Sequence, residues 1–253
     1  MFPAGRKFEL RAPSPQTAVD IFSGHWATDL SSLLPVTGTG SIDLSRDPRP
    51  RFVLERFAGP DGTLKGQRVL ELGPLEADHT LKLERLGADV TAVEANAEAY
   101  LKCLVVKELL GLEHTRFLYG DFVEHLKASD EQYDLIFASG VLYHSDDPAG
   151  LIKLMSERSA RVFIWTHVFS PGAWRGTRPL AVVRDGLPLT YHQRTYRNRQ
   201  RGSFWGGNRE RACLLTQADL TATLAHYGFA NVHIHRENAG HPRGPALSPS
   251  AWR

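Results

Sequence analysis

The sequence predicts an α/β fold with a mainly parallel sheet and helices on both faces. Between residues 51 and 166, short apolar segments alternate with amphipathic segments at the pace of βαβ units. The apolar segments, such as RVLELG and YDLIFASGV, are nearly continuous runs, which is the pattern of parallel strands buried on both faces. The chain has 253 residues, 42% of them hydrophobic, so one large domain can bury a sufficient core.

Each element of this alternation has its own signal. Strands correspond to the apolar runs, and helices to amphipathic segments that end at glycines such as Gly59, Gly87 and Gly111. The predicted strands cover residues 68–73, 89–95, 115–121, 133–141 and 161–169. The predicted helices cover residues 51–59, 79–88, 96–111, 122–128 and 147–160, and a further helix and strand lie within 212–238.

Three regions flank this alternation. Residues 1–50 are predicted to form a helical cap or lid, and residues 170–211 a substrate-recognition insertion rich in arginine and aromatic side chains. Residues 239–253 are expected to be a loose tail. The catalytic domain is accordingly expected to span residues 51–238.

Composition excludes several classes of protein. The formal net charge is +2, which is too small to indicate nucleic-acid binding without a local basic patch. Cys103 and Cys213 are the only cysteines, which excludes a disulfide scaffold and a CxxC metal site. No apolar run approaches the roughly 20 residues of a membrane span, and the first residues lack the apolar core of a signal peptide. We therefore expect a soluble, cytoplasmic protein without a membrane partner.

Polar groups follow the predicted strands at the edge where ligands of such sheets bind. After the first strand, Gly73 allows the backbone to turn and to approach a ligand without a Cβ in the way. Glu94 ends the second strand, about 20 residues later, where an acidic side chain can accept both hydroxyls of a ribose. After the third strand, Asp121 can accept from an adenine amino group beside the Phe122 ring, and Ser139 follows the fourth.

These residues carry a resemblance. The set VLELG…VEAN…GDF…YDLIFASGVLYHSDDP resembles the class I S-adenosylmethionine-dependent methyltransferases over about residues 66–166. The closing GFANVHIH is similar to their late antiparallel strands, and GVLYH is similar to the branch with the tRNA wobble-uridine carboxymethyl-transferring enzymes. The resemblance implies a Rossmann-like fold, S-adenosylmethionine (SAM) as cofactor and S-adenosylhomocysteine (SAH) as product. Its implied cofactor-binding residues are Glu71, Gly73, Pro74, Glu94, Ala95, Asp121, Phe122, Ser139 and Gly140.

The glycine-rich turn departs from the usual pattern. The family has E-x-G-x-G-x-G, whereas residues 71–77 are ELGPLEA, a stiffer and bulkier loop. A dinucleotide is disfavoured here because GxGxxG is absent and Glu76 and Asp78 would repel a pyrophosphate. A sulfonium cofactor has no such conflict, although a binding protein that has lost catalysis is an alternative.

The candidate catalytic residues follow the fourth and fifth strands. His144 or His167 is suited to act as a base if the nucleophile must lose a proton, and Tyr143 to shape the pocket. The structural alternative for each histidine is packing or hydrogen bonding without a role in catalysis. The Asp and His spacing is not a metal-ligand signature, so no metal is predicted, and the question of Mg²⁺ stays open.

The insertion and the cap supply the candidate acceptor-binding residues, namely Trp26, Arg194, Arg197, Arg201 and Trp205. Arginines bind phosphate and carboxylate groups through two parallel hydrogen bonds, and aromatic rings stack on flat or cationic groups. A small anionic metabolite, such as a phosphorylated, diphosphate or carboxylated natural-product intermediate, is the favoured acceptor. The alternatives are an RNA partner and a solvated loop whose arginines pair with acids elsewhere. The sequence leaves the oligomeric state undetermined.

Overall fold

The computed structural model describes residues 8–43, 46–196, 207 and 209–253. Its strands are β1 (Arg68–Leu72), β2 (Asp89–Glu94), β3 (Thr115–Tyr119), β4 (Leu135–Ser139), β5 (Arg161–His167), β6 (Arg178–Arg184), β7 (Leu187–Thr195), β8 (Arg211–Leu214), β9 (Asn231–Asn238) and β10 (Ala246–Trp252). Its α-helices are α1 (Pro15–Val19), α2 (Arg49–Phe57), α3 (Asp78–Arg85), α4 (Ala97–Leu110), α5 (Phe122–Ala128), α6 (Pro148–Arg158) and α7 (Gln217–His226).

A seven-stranded sheet in the order β3-β2-β1-β4-β5-β10-β9 forms the centre of the molecule. The first five strands of this order are parallel, and β10 runs antiparallel to both β5 and β9. The order reverses between β1 and β4, so a crevice opens at the carboxyl ends of these two strands. The predicted Rossmann-like methyltransferase fold is confirmed by this arrangement, including the late antiparallel strand.

Local sequence signals explain where the helices begin and end. The Asn96 side chain accepts the backbone N–H of Ala99 to cap α4, which ends at Gly111 with φ of 65°. Asp147 caps α6 by accepting the backbone N–H of Gly150, and proline occupies the first position of that helix. Asn96 follows β2, and Asp147 follows the loop after β4. The two caps therefore fix where the chain turns from the carboxyl ends of these strands into a helix.

The sheet is covered on both faces. One apolar cluster packs α5, α6 and α7 on the sheet and includes Leu70, Ile136 and Ile164, each with no exposed surface. The other cluster joins α2, α3 and α4 to the opposite face through Val69, Phe137 and other residues. This burial on both faces explains why the parallel strands are nearly continuous apolar runs.

The N-terminal segment packs against the domain as part of its core. Trp26 is 6% exposed, and its indole N–H donates to the carbonyl of Val19 at 2.9 Å. The backbone N–H of Thr28 donates to the Glu76 carboxylate at 2.7 Å, and Glu76 also pairs with the buried Lys102 ammonium at 2.9 Å. Glu76 is therefore an anchor for this segment, a role that the sequence did not reveal.

The segment following β5, which the sequence predicts to be a substrate-recognition insertion, contains a small antiparallel sheet in the order β6-β7-β8. Tyr191 fixes this sheet to the main domain: its hydroxyl donates to Asp147 at 2.6 Å. Arg184 adds an ion pair to the same carboxylate at 3.0 Å.

The prediction of a loose tail over residues 239–253 is wrong for its second half. β10 lies within the central sheet between β5 and β9, and its residues 246–251 are buried. The sequence ALSPSAW carries a proline, which argues against a central strand, but Pro249 lies at a register shift in the β9 ladder. Across the described residues, none of the helices combines the length and apolar character needed to cross a bilayer.

Candidate active site

The turn after β1 keeps a left-handed backbone at the alternate positions where the family pattern has glycines. Gly73, Leu75 and Ala77 have φ values of 66°, 63° and 65°. A Cβ at Gly73 would lie 2.9 Å from Val141 Cγ1, so this position has no room for a side chain. The loop thus follows a glycine-like path despite its bulkier residues, at a cost of about 1–2 kcal/mol for each L-residue in this conformation.

Glu71 lies beneath this turn rather than in open space. The side chain is 1% exposed and accepts the Thr80 hydroxyl at 2.5 Å. Burial, together with the nearby carboxylates of Asp78 and Glu94, raises the pKa of Glu71 to about 8. Glu71 is therefore neutral at pH 7 and supports the turn through α3.

Glu94 stands at the carboxyl end of β2, where the ribose contact is predicted. Its two carboxylate oxygens accept the backbone N–H groups of Leu75 at 3.1 Å and Asn96 at 2.8 Å. Burial raises the pKa of Glu94, and these hydrogen bonds oppose the shift. Because a carboxylate has about four acceptor sites, the oriented group keeps capacity for two hydroxyl donors.

The other predicted cofactor residues surround the same edge. Asp121 caps α5 by accepting the Val123 N–H at 2.7 Å, and Arg209 approaches its other oxygen at 3.3 Å. Of the remaining five, Pro74 is buried and the other four are half-buried. Pro74, Ala95 and Gly140 lie in the loops after β1, β2 and β4, Ser139 ends β4, and Phe122 begins α5. All five stand at the edge formed by the carboxyl ends of the parallel strands.

A half-buried ion pair beside this crevice was not predicted from the sequence. Arg49, at the start of α2, donates to Asp47 at 2.8 Å and to the Ser139 hydroxyl at 2.8 Å. Its guanidinium also lies 4.9 Å from the centre of the Trp165 ring. Burial opposes ionisation of Asp47, yet the hydrogen bonds from Arg49 and the nearby His79 imidazole hold the pKa of Asp47 well below its usual range. The one sequence signal for the Asp47–Arg49 pair is their spacing of two residues in RDPRP.

Aromatic and imidazole rings cluster after β4 and β5. The His167 ring lies 4.7 Å from Tyr143, 5.1 Å from Trp165 and 5.6 Å from Trp174 between ring centres. His241, from the loop between β9 and β10, lies 4.9 Å from His167. β5 and the loops after β4, β5 and β9 thus bring the predicted catalytic residues Tyr143 and His167 together with three further rings, those of Trp165, Trp174 and His241.

The predicted catalytic histidines have different hydrogen-bond partners. The His144 Nδ1 atom lies 2.6 Å from the hydroxyl of Tyr196, which accepts from Arg194 at 2.5 Å. His167 Nδ1 lies 2.9 Å from the carbonyl oxygen of Gly244. Burial lowers the pKa of His144 to about 3 and also lowers that of His167, so both imidazoles are neutral at pH 7.

The predicted acceptor-binding residues divide into three groups. Arg194 lies in the cluster, with its guanidinium 5.3 Å from the Trp174 ring centre and 4.6 Å from that of Tyr196. Trp26 is in the core, held by its bond to Val19. Arg197, Arg201 and Trp205 lie outside the described residues. Over the part of the chain that the structure describes, no group of three His, Cys, Asp or Glu side chains is arranged to hold a metal ion.

Comparison with protein families and solved structures gives a consistent result. A family profile described as a methyltransferase domain matches residues 45–234. The fold is similar to the crystal structure of the N-terminal domain of EvdMO1 in the presence of SAH and D-fucose, with 22% identity and a TM-score of 0.72. That match covers 93% of this chain and 94% of the domain. Full-length EvdMO1 is matched over 42% of its length.

Two further relatives extend the comparison. The magnesium protoporphyrin IX methyltransferase of Synechocystis PCC 6803, with bound SAH, shares 16% identity at a TM-score of 0.55, covering 85% of this chain and 90% of that protein. A tRNA U34 carboxymethyltransferase from Sulfurovum sp. (strain NBC37-1) is 30% identical over 104 residues. That match covers 37% of this chain and 31% of the relative, so the chain spans about a third of that curated protein.

Proposed function

The chain belongs to the methyltransferase-domain family, within the class I SAM-dependent superfamily, and from that premise we propose that it methylates a small acceptor bearing an anionic group. SAM supplies an electrophilic methyl group on sulfur.

The crevice suits this cofactor on two structural grounds. The turn from Gly73 to Ala77 keeps the left-handed path that brings backbone close to a ligand. The oriented carboxylate of Glu94 faces the same edge with acceptor capacity for a ribose. Asp121 is assigned to the adenine end, and Arg49 to the carboxylate end because it is a guanidinium beside Ser139 in the same crevice.

The observation that carries the anionic acceptor is the environment of Arg194. Its guanidinium lies against the faces of Trp174 and Tyr196, and its Nε atom is buried without a hydrogen-bond partner. Arg194 is half-buried and forms no ion pair within the described residues, whereas arginines withdrawn from water in proteins are normally paired. A carboxylate or phosphate on the acceptor would satisfy the guanidinium through two parallel hydrogen bonds.

The aromatic cluster completes the binding site. Tyr143, Trp165 and Trp174 present flat surfaces next to His167, which suits a small organic molecule held in one orientation. Orientation is the main contribution to an in-line methyl transfer, because it places the attacking atom behind the carbon that is transferred. The similarity to a domain crystallised in the presence of SAH and D-fucose supports a small molecule as the acceptor.

The test begins with calorimetric titration of SAM and SAH. We expect micromolar binding that Glu94→Ala abolishes and that Glu55→Ala, an exposed substitution on α2, leaves unchanged. A screen of carboxylated and phosphorylated hydroxy compounds should then give methyl transfer in which Arg194→Gln raises the acceptor KM at least about tenfold. Absence of binding to both SAM and SAH would overturn the proposal.

An RNA acceptor is the second candidate, supported by the similarity to the tRNA U34 carboxymethyltransferase. A gel shift with unmodified tRNA at physiological salt distinguishes the two. Salt-sensitive binding, together with transfer to tRNA and none to the small compounds, would replace the small acceptor by RNA.

A further inference from the structure

We propose that Glu76 and Lys102 are positioning residues of the cofactor site, which hold the turn after β1 in its left-handed path by tying it to the N-terminal segment, residues 15–30. Because this turn is assigned to SAM, the role rests on the proposed function. The affinity of the protein for SAM and SAH then depends on hydrogen bonds that Glu76 makes with the backbone of residues 27 and 28.

The turn carries a conformational strain that glycines would avoid. Leu75 and Ala77 have φ values of 63° and 65°, in the left-handed region where a Cβ lies too close to the backbone. Residues with side chains persist in this region only where the surrounding structure fixes them. A turn released from those contacts would relax towards right-handed or extended backbone. Contacts from outside the turn must therefore hold residues 73–77 in the shape that approaches a ligand.

Glu76 lies between the two strained residues and supplies such a contact. Its carboxylate oxygens accept the backbone N–H groups of Ala27 at 3.1 Å and Thr28 at 2.7 Å. Glu76 is 2% exposed, so water does not compete for these hydrogen bonds. A side chain that is fixed at its far end restricts the backbone that carries it, and here it restricts the turn between Leu75 and Ala77.

Lys102, on α4, fixes the Glu76 carboxylate in turn. Its ammonium contacts three acceptors, namely Glu76 at 2.9 Å, Glu98 at 3.0 Å and the carbonyl oxygen of His25 at 2.5 Å. These contacts match the three N–H groups of a lysine. The ammonium also lies 5.4 Å from the centre of the Trp26 ring. One buried lysine thus joins α4, the N-terminal segment and the turn.

The turn and the predicted ribose contact form one unit. The Leu75 N–H group donates to the Glu94 carboxylate, which is assigned to the ribose. The Leu75 carbonyl oxygen accepts from the Cys103 thiol at 3.2 Å. A relaxed turn would withdraw the Leu75 N–H group and leave the carboxylate free to rotate. The affinity for SAM would then fall in proportion to the fraction of molecules that keep the binding-competent turn.

Calorimetric titration with SAH separates this role from a role in stability alone. We expect Glu76→Ala to raise the SAH dissociation constant at least about tenfold, at a temperature at which circular dichroism shows the variant to be folded. Leu224→Ala is the matched control, because it removes a fully buried side chain from α7 on the other face of the sheet. This variant should lose stability and still bind SAH within about threefold of the wild type.

A glycine background tests whether the effect passes through the turn. Replacing Leu75 and Ala77 by glycine removes the two strained Cβ atoms, so the turn no longer depends on the Glu76 anchor. In that background, Glu76→Ala should change the SAH dissociation constant less than about threefold. If Glu76→Ala does not fold, Glu76→Gln keeps one accepting oxygen and enters the same cycle. Its loss should be about threefold to tenfold and should again disappear with the glycines.

Amide hydrogen exchange reads the same coupling from the other side. Because linkage between two sites is reciprocal, SAH should slow the exchange of the Ala27 and Thr28 amides more than that of Leu224. Equal slowing at all three amides would contradict the coupling.

The remaining outcomes are distinct. Folded Glu76→Ala protein with wild-type affinity overturns the role of Glu76 and Lys102, and so does a tenfold loss that persists in the glycine background. If the wild type binds neither SAM nor SAH, the proposed function falls and this role falls with it.

Discussion

Replacing Glu71 by glutamine should stabilise the folded protein at alkaline pH and leave it nearly unchanged at acidic pH. In the folded state the pKa of Glu71 is about 8, whereas an exposed glutamate ionises near 4.5. Between these values the unfolded chain has released the proton that the folded chain keeps, so stability falls as pH rises from about 4.5 to 8. Each pH unit in this interval lowers the free energy of unfolding by about 1.4 kcal/mol. The total loss above pH 8 is therefore at most about 5 kcal/mol.

Glutamine is the informative substitution because it matches the neutral acid in shape and keeps an oxygen for the Thr80 hydroxyl. Urea unfolding of the wild type and Glu71→Gln at about pH 4.5, 6, 7 and 8.5 gives the difference directly. At the lowest pH we expect the two proteins to have nearly the same free energy of unfolding. At the highest pH we expect the free energy of unfolding of the variant to be about 2–5 kcal/mol larger. The exposed Glu55→Gln should stay within about 0.5 kcal/mol throughout. A pH-independent difference for Glu71→Gln would refute the reasoning.

Three further substitutions test other parts of the structure. Lys102→Met should cost about 3–5 kcal/mol in urea unfolding because it leaves the Glu76 carboxylate buried without its cation, and adding Glu76→Gln should recover more than half of that loss. Gly244→Ala places a methyl group 2.5 Å from the Trp174 ring at a φ of 98°, so acceptor KM should rise about tenfold while calorimetry shows unchanged SAM affinity. Gly73→Ala, with its methyl group 2.9 Å from a valine side chain, should weaken SAM binding at least about tenfold. Wild-type affinity in Gly73→Ala would contradict the proposed approach of this turn to the cofactor.

The sequence predicted the five parallel strands and their helices because each element carries a local signal. An apolar run such as LIFAS, or a helix bounded by Asn96 and Gly111, specifies its conformation within a few residues. β10 was not predicted because its place in the sheet depends on pairing with β5 and β9. Pro249 also interrupts the residue pattern expected of a central strand. The β6–β7 hairpin of the small sheet does carry a local signal, the Asp185-Gly186 turn, and only the pairing of β7 with β8 depends on residues more distant in the chain.

For the site, the order of residues along the chain is enough to predict which side chains stand at the strand ends. Glu94, Asp121 and the residues after β4 are placed there by alternation along the chain, and parallel strands bring their carboxyl ends to one edge. The contacts of those side chains, in contrast, depend on how the folded segments pack together. Glu71 is neutral because it is buried, and Trp26 belongs to the core because it packs against Val19, Phe22 and Lys102. Burial and hydrogen-bond partners come from segments far apart in the chain, and no local pattern of residues encodes them.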